Sequence, residues 1–217
     1  YTELKRRRDY DMQQTLAKAT LSLHDKSGGD TLNRIERLGQ TCDNATTIKD
    51  PGLFALAFRH ARYLLWSSSR ADSLPANLQG VWADGLRAPW NGDYHLNINL
   101  QMTYWASSSS NLGESASVLA PFLKGLVEKG ETTAKDWYGV EKGWVAHGYT
   151  DRWRDARALG ENKWALCVTC GAWAALQLVD VSEDAPASTE KLRDALSVLQ
   201  GVLEFFDEYA IAIDDTT

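Results

Sequence analysis

Tyr94-His95-Leu96-Asn97-Ile98-Asn99-Leu100-Gln101-Met102 alternates polar and apolar residues without a break. On an extended backbone Leu96, Ile98, Leu100 and Met102 share one side, and His95, Asn97, Asn99 and Gln101 share the other. On a helix Asn97 and Asn99 would point about 200° apart. A joint role for the two amides therefore requires a segment that is extended, or at most entering a helix. Asn is depleted in strands, so two on one face carry a local cost. Two readings stand side by side: a half-exposed strand with its polar groups in water, and a row of amide and imidazole groups facing a polar ligand.

Outward from this segment the pattern is helical. Glu3 to Leu21 mixes charge with Leu4, Tyr10, Leu16 and Ala19 and predicts a solvated helix running into a short extended piece. Asp25 to Asp43 is polar and contains Gly, as linkers do. Asp50 then offers an N-cap with Pro51 at the first helical position. Leu53, Phe54, Ala57, Phe58, Ala61, Leu64 and Leu65 follow at helical spacing to about Ser67. From Ser68 to Asp93 periodicity dissolves around Pro75, Gly80, Gly85, Pro89 and Gly92, with Trp82 and Trp90 among them. Loops of that length in compact domains are uncommon and usually functional. Helices are predicted over Gln101–Ser110 and Glu114–Trp137. The latter has Val118, Leu119, Phe122, Leu123, Leu126 and Val127 on its core face. A second irregular loop, Gly139 to Asn162, carries Trp144, His147, Asp151, Trp153 and Asp155. Trp164–Val179 and Ser188–Tyr209 close an all-α layout with no short internal repeat.

The 217 residues suffice for a sizeable core, and 44% hydrophobic with 24% charged residues is ordinary for a globular protein. A net charge of −6 argues against nucleic acid as a partner. The basic run Arg6-Arg7-Arg8 is diluted by Asp9 and Asp11 and predicts a solvated helix face. No apolar stretch reads as long enough for a bilayer, and no signal-peptide start is visible. A chain opening at Tyr1 is expected to be processed, trimmed or part of a longer one, so the compartment stays unknown. Cys42, Cys167 and Cys170 form an odd set. Cys167 and Cys170 make a CxxC, but a zinc site needs two further ligands that are not at suitable spacing. Small core side chains are the favoured reading, and no metal or cofactor is expected. Asn44-Ala45-Thr46 fits a glycosylation acceptor, a pattern common by chance. Nine Trp are the compositional outlier. Core packing accounts for most, and Trp gathered in loops would favour stacking on sugar faces.

Leu74-Pro-Ala-Asn-Leu-Gln-Gly-Val-Trp82, Ala88-Pro-Trp90, Asp93-Tyr-His-Leu-Asn-Ile-Asn-Leu-Gln-Met102 and Tyr104-Trp105 resemble glycoside hydrolase family 95. Gly143-Trp-Val-Ala-His147, Asp151, Gly171-Ala-Trp173, Asp50-Pro-Gly-Leu53, Arg62-Tyr-Leu-Leu65 and Ser67-Ser-Ser-Arg70 extend the resemblance from about Tyr1 to Tyr209. It implies inverting α-L-fucosidases acting on terminal 1,2-linked fucose, and an (α/α)6 barrel with the sugar site at one mouth. On that basis Asn97 and Asn99 are the candidate catalytic pair that holds the attacking water. His95, Trp144, His147 and Trp164 are the candidate substrate-binding residues, and a fucosylated glycan is the implied ligand. Thr103 and Ala106-Ser107-Ser108 depart from the family's usual Asn and Pro-Ala-Glu.

An amide oxygen accepts a hydrogen bond from water but is too weak a base to take its proton. The resemblance implies an activating Asp and a general acid in blocks beyond the helix at Ser188–Tyr209. Neither block is in this sequence, so about half of the toroid is expected to be missing. The expected division is 1–49, an N-terminal helix and linker, and 50–217, the first part of the barrel. Asp151 and Asp155 are nearby acids whose spacing gives no support for substitution. Three readings follow. The first is the amino-terminal part of a fucosidase catalytic domain, inactive alone and completed by the remaining half-barrel. The second is a structural subunit whose open helix faces other proteins cover. The third is a sugar-binding module without chemistry. A native polypeptide well above 24.2 kDa would favour the enzyme.

Overall fold

The computed structural model describes residues 1–23, 29–40, 50–184 and 189–210. Cys42, the Asn44-Ala45-Thr46 pattern, parts of the expected linker and the last seven residues lie outside them. The chain is all-α in character and divides by packing into two units, Tyr1–Leu64 and Leu65–Thr217. The boundary falls inside a helix, beyond the 49/50 division expected from sequence.

In the first unit α1 spans Thr2–Leu16, shorter than expected. Its basic run is indeed a solvated face, where Glu3 pairs with Arg6 and Arg7, and Arg8 with Asp9. Part of the expected linker is a helix, α2, Thr31–Gln40. Asp30 caps it by accepting the Leu32 and Asn33 N–H groups. Leu32, Ile35 and Leu38 carry a helical period that is too short to stand out among polar neighbours. Helix α3, Pro51–Ser68, starts as expected. Asp50 Oδ1 accepts the Leu53 N–H at 3.0 Å, and its carboxylate takes a two-point bond from Arg34 at 2.6 and 2.9 Å. From α3, buried Arg62 donates to the carbonyls of Leu16 and Ala19 at 2.6 Å and of Thr15 at 3.3 Å. The Thr15 and Leu16 carbonyls belong to the last turn of α1, and a cation suits the negative pole of a helix.

In the second unit the alternating segment does not stay extended. Only Tyr94–His95 form a strand, β1. It pairs antiparallel with β2, Tyr149–Thr150, in the register Tyr94↔Thr150 and His95↔Tyr149. A turn follows, and α4 begins at Asn99 and runs to Trp105, earlier than expected. The period therefore changes from two to 3.6 within the segment. Leu96 and Leu100 are buried, but Ile98 and Met102, which would share their side on a strand, are 45% and 57% exposed, while Gln101 is fully buried. Gln101 Nε2 donates to the Leu96 carbonyl at 2.7 Å.

Helix α5 is Gly113–Ala116, α6 Leu119–Tyr138, α7 Asn162–Ala165, α8 Cys170–Asp184 and α9 Thr189–Tyr209. Helices α6, α8 and α9 pack on one another, with α4 against α8. Phe122, Leu123, Leu126, Leu178, Val198 and Val202 fill the core between them. By length and composition Asn162–Ser182 is apolar enough to cross a membrane, contrary to the sequence reading. Half of it is buried in the fold, and the helix is broken between Ala165 and Cys170. It is a core element. Cys167 and Cys170 are not free thiols packed as small side chains but a disulfide. Their Cα atoms lie 5.5 Å apart, within disulfide reach. Cys170 is buried and Cys167 half-buried.

The centre of this core is Trp144, 1% exposed. Its indole lies where Gly130 of α6, Gly171 of α8 and Gly201 of α9 have no side chain. A Cβ on these glycines would come within 2.9, 2.8 and 2.7 Å of the ring. Nε1 donates to the Val198 carbonyl at 2.9 Å. The flanking backbone joins the same helices: Trp144 N–H to Gly201 O, Val145 N–H to Gly130 O, and Gly171 N–H to Ala146 O.

Gly171→Ala and Gly201→Ala should each lower stability by about 1–3 kcal/mol through overpacking of the ring. Gly113→Ala, with open space around it, should change it by only a few tenths. Chemical denaturation midpoints of the three variants check the contrast. Equal shifts would contradict the socket.

Candidate functional site

Residues 68–93 and 139–162 break the helical pattern, as predicted, and line one cleft of about 830 Å³. Leu74, Asn77 and Trp90 to His95 come from the first side, and Tyr149, Asp151 to Trp153, Leu159 and Gly160 from the second. The β1–β2 pairing brings the two stretches together. The first wall has an unusual backbone. Trp90, Asn91 and Gly92 are successively left-handed, with φ of 47°, 60° and 60°. Gly and Asn adopt that region readily, but Trp does so at a cost of order 1–3 kcal/mol. The conformation leaves the Trp90 indole 72% exposed beside the cleft, and Trp153 on the other wall is 71% exposed.

His95 lies between two neighbours. Its Nε2 is 2.8 Å from Asp93 Oδ1, and its ring centroid is 4.4 Å from that of Tyr149. Asp93 Oδ1 is buried, and despite the short distance it has no well-aligned hydrogen bond. Burial holds the Asp93 carboxyl above the ordinary carboxylate range, while nearby His95 and an Asn91 hydrogen bond pull it the other way. His95 and Asn99 also border a small recess with Asn77 and Thr103. Asn97, in the turn before α4, does not line either space. Both amides are exposed, on either side of exposed Ile98.

Trp164 is 64% exposed, with Lys163 Nζ 5.4 Å from its ring centroid. Trp144 and His147 are placed differently from the expectation. Trp144 fills the glycine socket, and His147 is fully buried. The Cys167 N–H donates to His147 Nδ1 at 3.1 Å. Nε2 therefore carries the ring proton and donates to Tyr138 Oη, also at 3.1 Å. Burial lowers the pKa of His147.

The other acids behave as loop groups. Asp151 Oδ1 accepts the N–H groups of Trp153 and Asp155 at 2.8 and 3.2 Å. Hydrogen bonding by Arg157 holds Asp155 below the usual carboxylate range, which suits it poorly to donate a proton. Sequence reasoning missed Asp93 and Tyr149 as neighbours of His95. Asp93 is two residues away along an extended stretch and was legible in principle. Tyr149 is brought in by pairing that no local pattern announces. Among the described residues no cluster of His, Cys, Asp or Glu is suited to a metal ion.

The profile of the glycosyl hydrolase family 95 catalytic domain matches residues 1–217. Alpha-L-fucosidase 2 of Arabidopsis thaliana is 38% identical over 174 residues, which cover 80% of this chain and 20% of that protein. Probable alpha-fucosidase A of Aspergillus niger is 32% identical over 216 residues, covering 96% of this chain and 27% of that one. The protein of the same name from Aspergillus oryzae is 46% identical over 99 residues, covering 45% and 14%. The chain thus spans little more than a quarter of the length of these relatives, or less.

His147 supplies a pH test of the buried network. Its pKa in the folded chain lies below the unfolded value of about 6.5. The unfolded state therefore binds the proton first as pH falls. Stability present above about pH 6.5 should be lost progressively below it. His147→Gln, which does not titrate, should remove that part of the slope. Urea denaturation of both proteins from pH 7 to pH 5 checks this. Parallel stability curves would contradict a neutral buried imidazole.

Proposed function

From its membership of glycosyl hydrolase family 95, to which the chain belongs along its whole length, we propose that it supplies one wall of an α-L-fucosidase site. The implied substrate is a glycan ending in 1,2-linked fucose. The observation that carries the reading is the cleft itself. Two irregular loops place exposed Trp90 and Trp153 beside His95, whose ring lies against Asp93 and Tyr149. Aromatic faces suit the apolar face of a sugar ring, and the imidazole and carboxyl groups suit its hydroxyls.

In this reading His95 contacts the sugar, and Asn97 and Asn99 hold the water that attacks the anomeric carbon. Trp164 adds an exposed aromatic surface. Trp144 and His147 act from behind by fixing the backbone that leads to Tyr149. Inversion requires a base on the water side and an acid on the leaving-group side, with room for the water between. The amides orient the water without deprotonating it, and Asp155 is held ionised by Arg157. The acid and the activating carboxylate therefore come from the rest of the barrel, and the chain alone does not complete the reaction. The reading as a structural subunit draws on the exposed Leu176, Leu196 and Leu203 of α8 and α9, which other chains would cover in an assembly.

The purified 217-residue chain, shown to be monodisperse, should release no fucose from a 1,2-linked fucosyl substrate at an enzymatic rate. General acid–base assistance alone is worth about 10² to 10⁴-fold, and the missing pocket deepens the loss. Robust turnover by a soluble monomer would overturn this claim and direct attention to Asp93 and Asp151, the carboxyl groups that line the cleft.

A further inference from the structure

We propose that the Cys167–Cys170 disulfide is a reversible redox site, opened in the folded chain by a small monothiol that attacks Cys167. A disulfide gains most for stability when it closes a long loop of the unfolded chain, and this CxxC closes one of the shortest. Its placement suits exchange better than stapling. Cys167 is half-buried, and its Sγ lies in an exposed contact with Thr169 Oγ1 at 3.8 Å. Cys170 is 3% exposed and is the first residue of the 15-residue helix α8. An incoming thiol thus meets Cys167. The sulfur that leaves is at a helix N-terminus, where the helix dipole favours a thiolate.

The step is ordinary thiol–disulfide exchange. The thiolate bonds to Cys167 Sγ, the S–S bond breaks, and its electron pair leaves on Cys170 Sγ. A second thiolate then attacks the sulfur of the small thiol and expels the Cys167 thiolate. The protein pair takes up two electrons and two protons, and two monothiols leave as their disulfide.

The consequence reaches the cleft through backbone hydrogen bonds. The Cys167 N–H bonds His147 Nδ1 at 3.1 Å, the Gly148 N–H bonds the Ala165 carbonyl at 2.9 Å, and the Leu96 N–H bonds the Gly148 carbonyl at 2.8 Å. Leu96 follows His95 in the chain. The disulfide therefore tethers a segment, 164–167, against which the strand pair at His95 and Tyr149 is held.

The test uses the full chain with Cys42→Ser, which removes the third thiol. The protein is incubated in native buffer with reduced glutathione, quenched in acid, alkylated and mapped by mass. The expected result is alkylation at Cys167 and Cys170 while circular dichroism stays that of the folded chain. With Cys170→Ser added and oxidised glutathione supplied, Cys167 should hold one glutathione. With Cys167→Ser, Cys170 should hold none. If the pair opens only in guanidinium, or if the adduct forms on Cys170, the proposal is overturned. Should the serine variants not fold, native reduction of the Cys42→Ser chain decides alone. Reduction should also speed amide exchange several-fold at Gly148 and Leu96, and unchanged exchange there would remove the link to the cleft.

Discussion

The larger unit depends on one large ring placed where three helices have no side chains. Trp144 touches α6, α8 and α9 at Gly130, Gly171 and Gly201, so the helices approach a shared wedge. The glycines carry an entropic cost within helices, of order 0.5–1 kcal/mol each relative to Ala. Burial of a whole indole and satisfaction of its N–H by the Val198 carbonyl offset that cost. The same segment continues to buried His147 and then to β2, so the core contact also sets the position of Tyr149 beside His95.

Much of the helical frame was legible because its apolar periods are long. Helices α3, α6 and α9 carry enough repeating Leu, Phe and Val to define a face. Helix α2 was not legible, since ten residues with three apolar positions resemble a polar linker. The alternating segment misled for a different reason. Leu96 and Leu100 are four apart and are buried either as a strand face or as a helix entry, and only the start of α4 at Asn99 decides between the two. Ile98 and Met102 then fall outside the core.

The site divides in the same way. The two decorated loops were evident from Gly, Pro and Trp, and their convergence on one cleft follows from the β1–β2 pair. The division of Trp residues between core and cleft was not evident. Trp144 and Trp153 sit in the same loop and look alike in sequence, and the difference comes from glycines far away along the chain. His147 likewise sits among loop residues, yet a backbone N–H and a tyrosine hydroxyl satisfy both ring nitrogens. A histidine so satisfied has no free atom for a ligand.

The left-handed run at Trp90, Asn91 and Gly92 bears on how the cleft would meet a ligand. Fixing one residue's backbone costs about 1–2 kcal/mol of conformational entropy. A loop tip that wanders in the free protein must lose that freedom when something binds. Here the wall has been committed during folding to a backbone shape with few alternatives, and the Trp90 indole is presented before any partner arrives. The entropy of ordering belongs to folding rather than to association, so more of the contact energy at this wall is available as affinity.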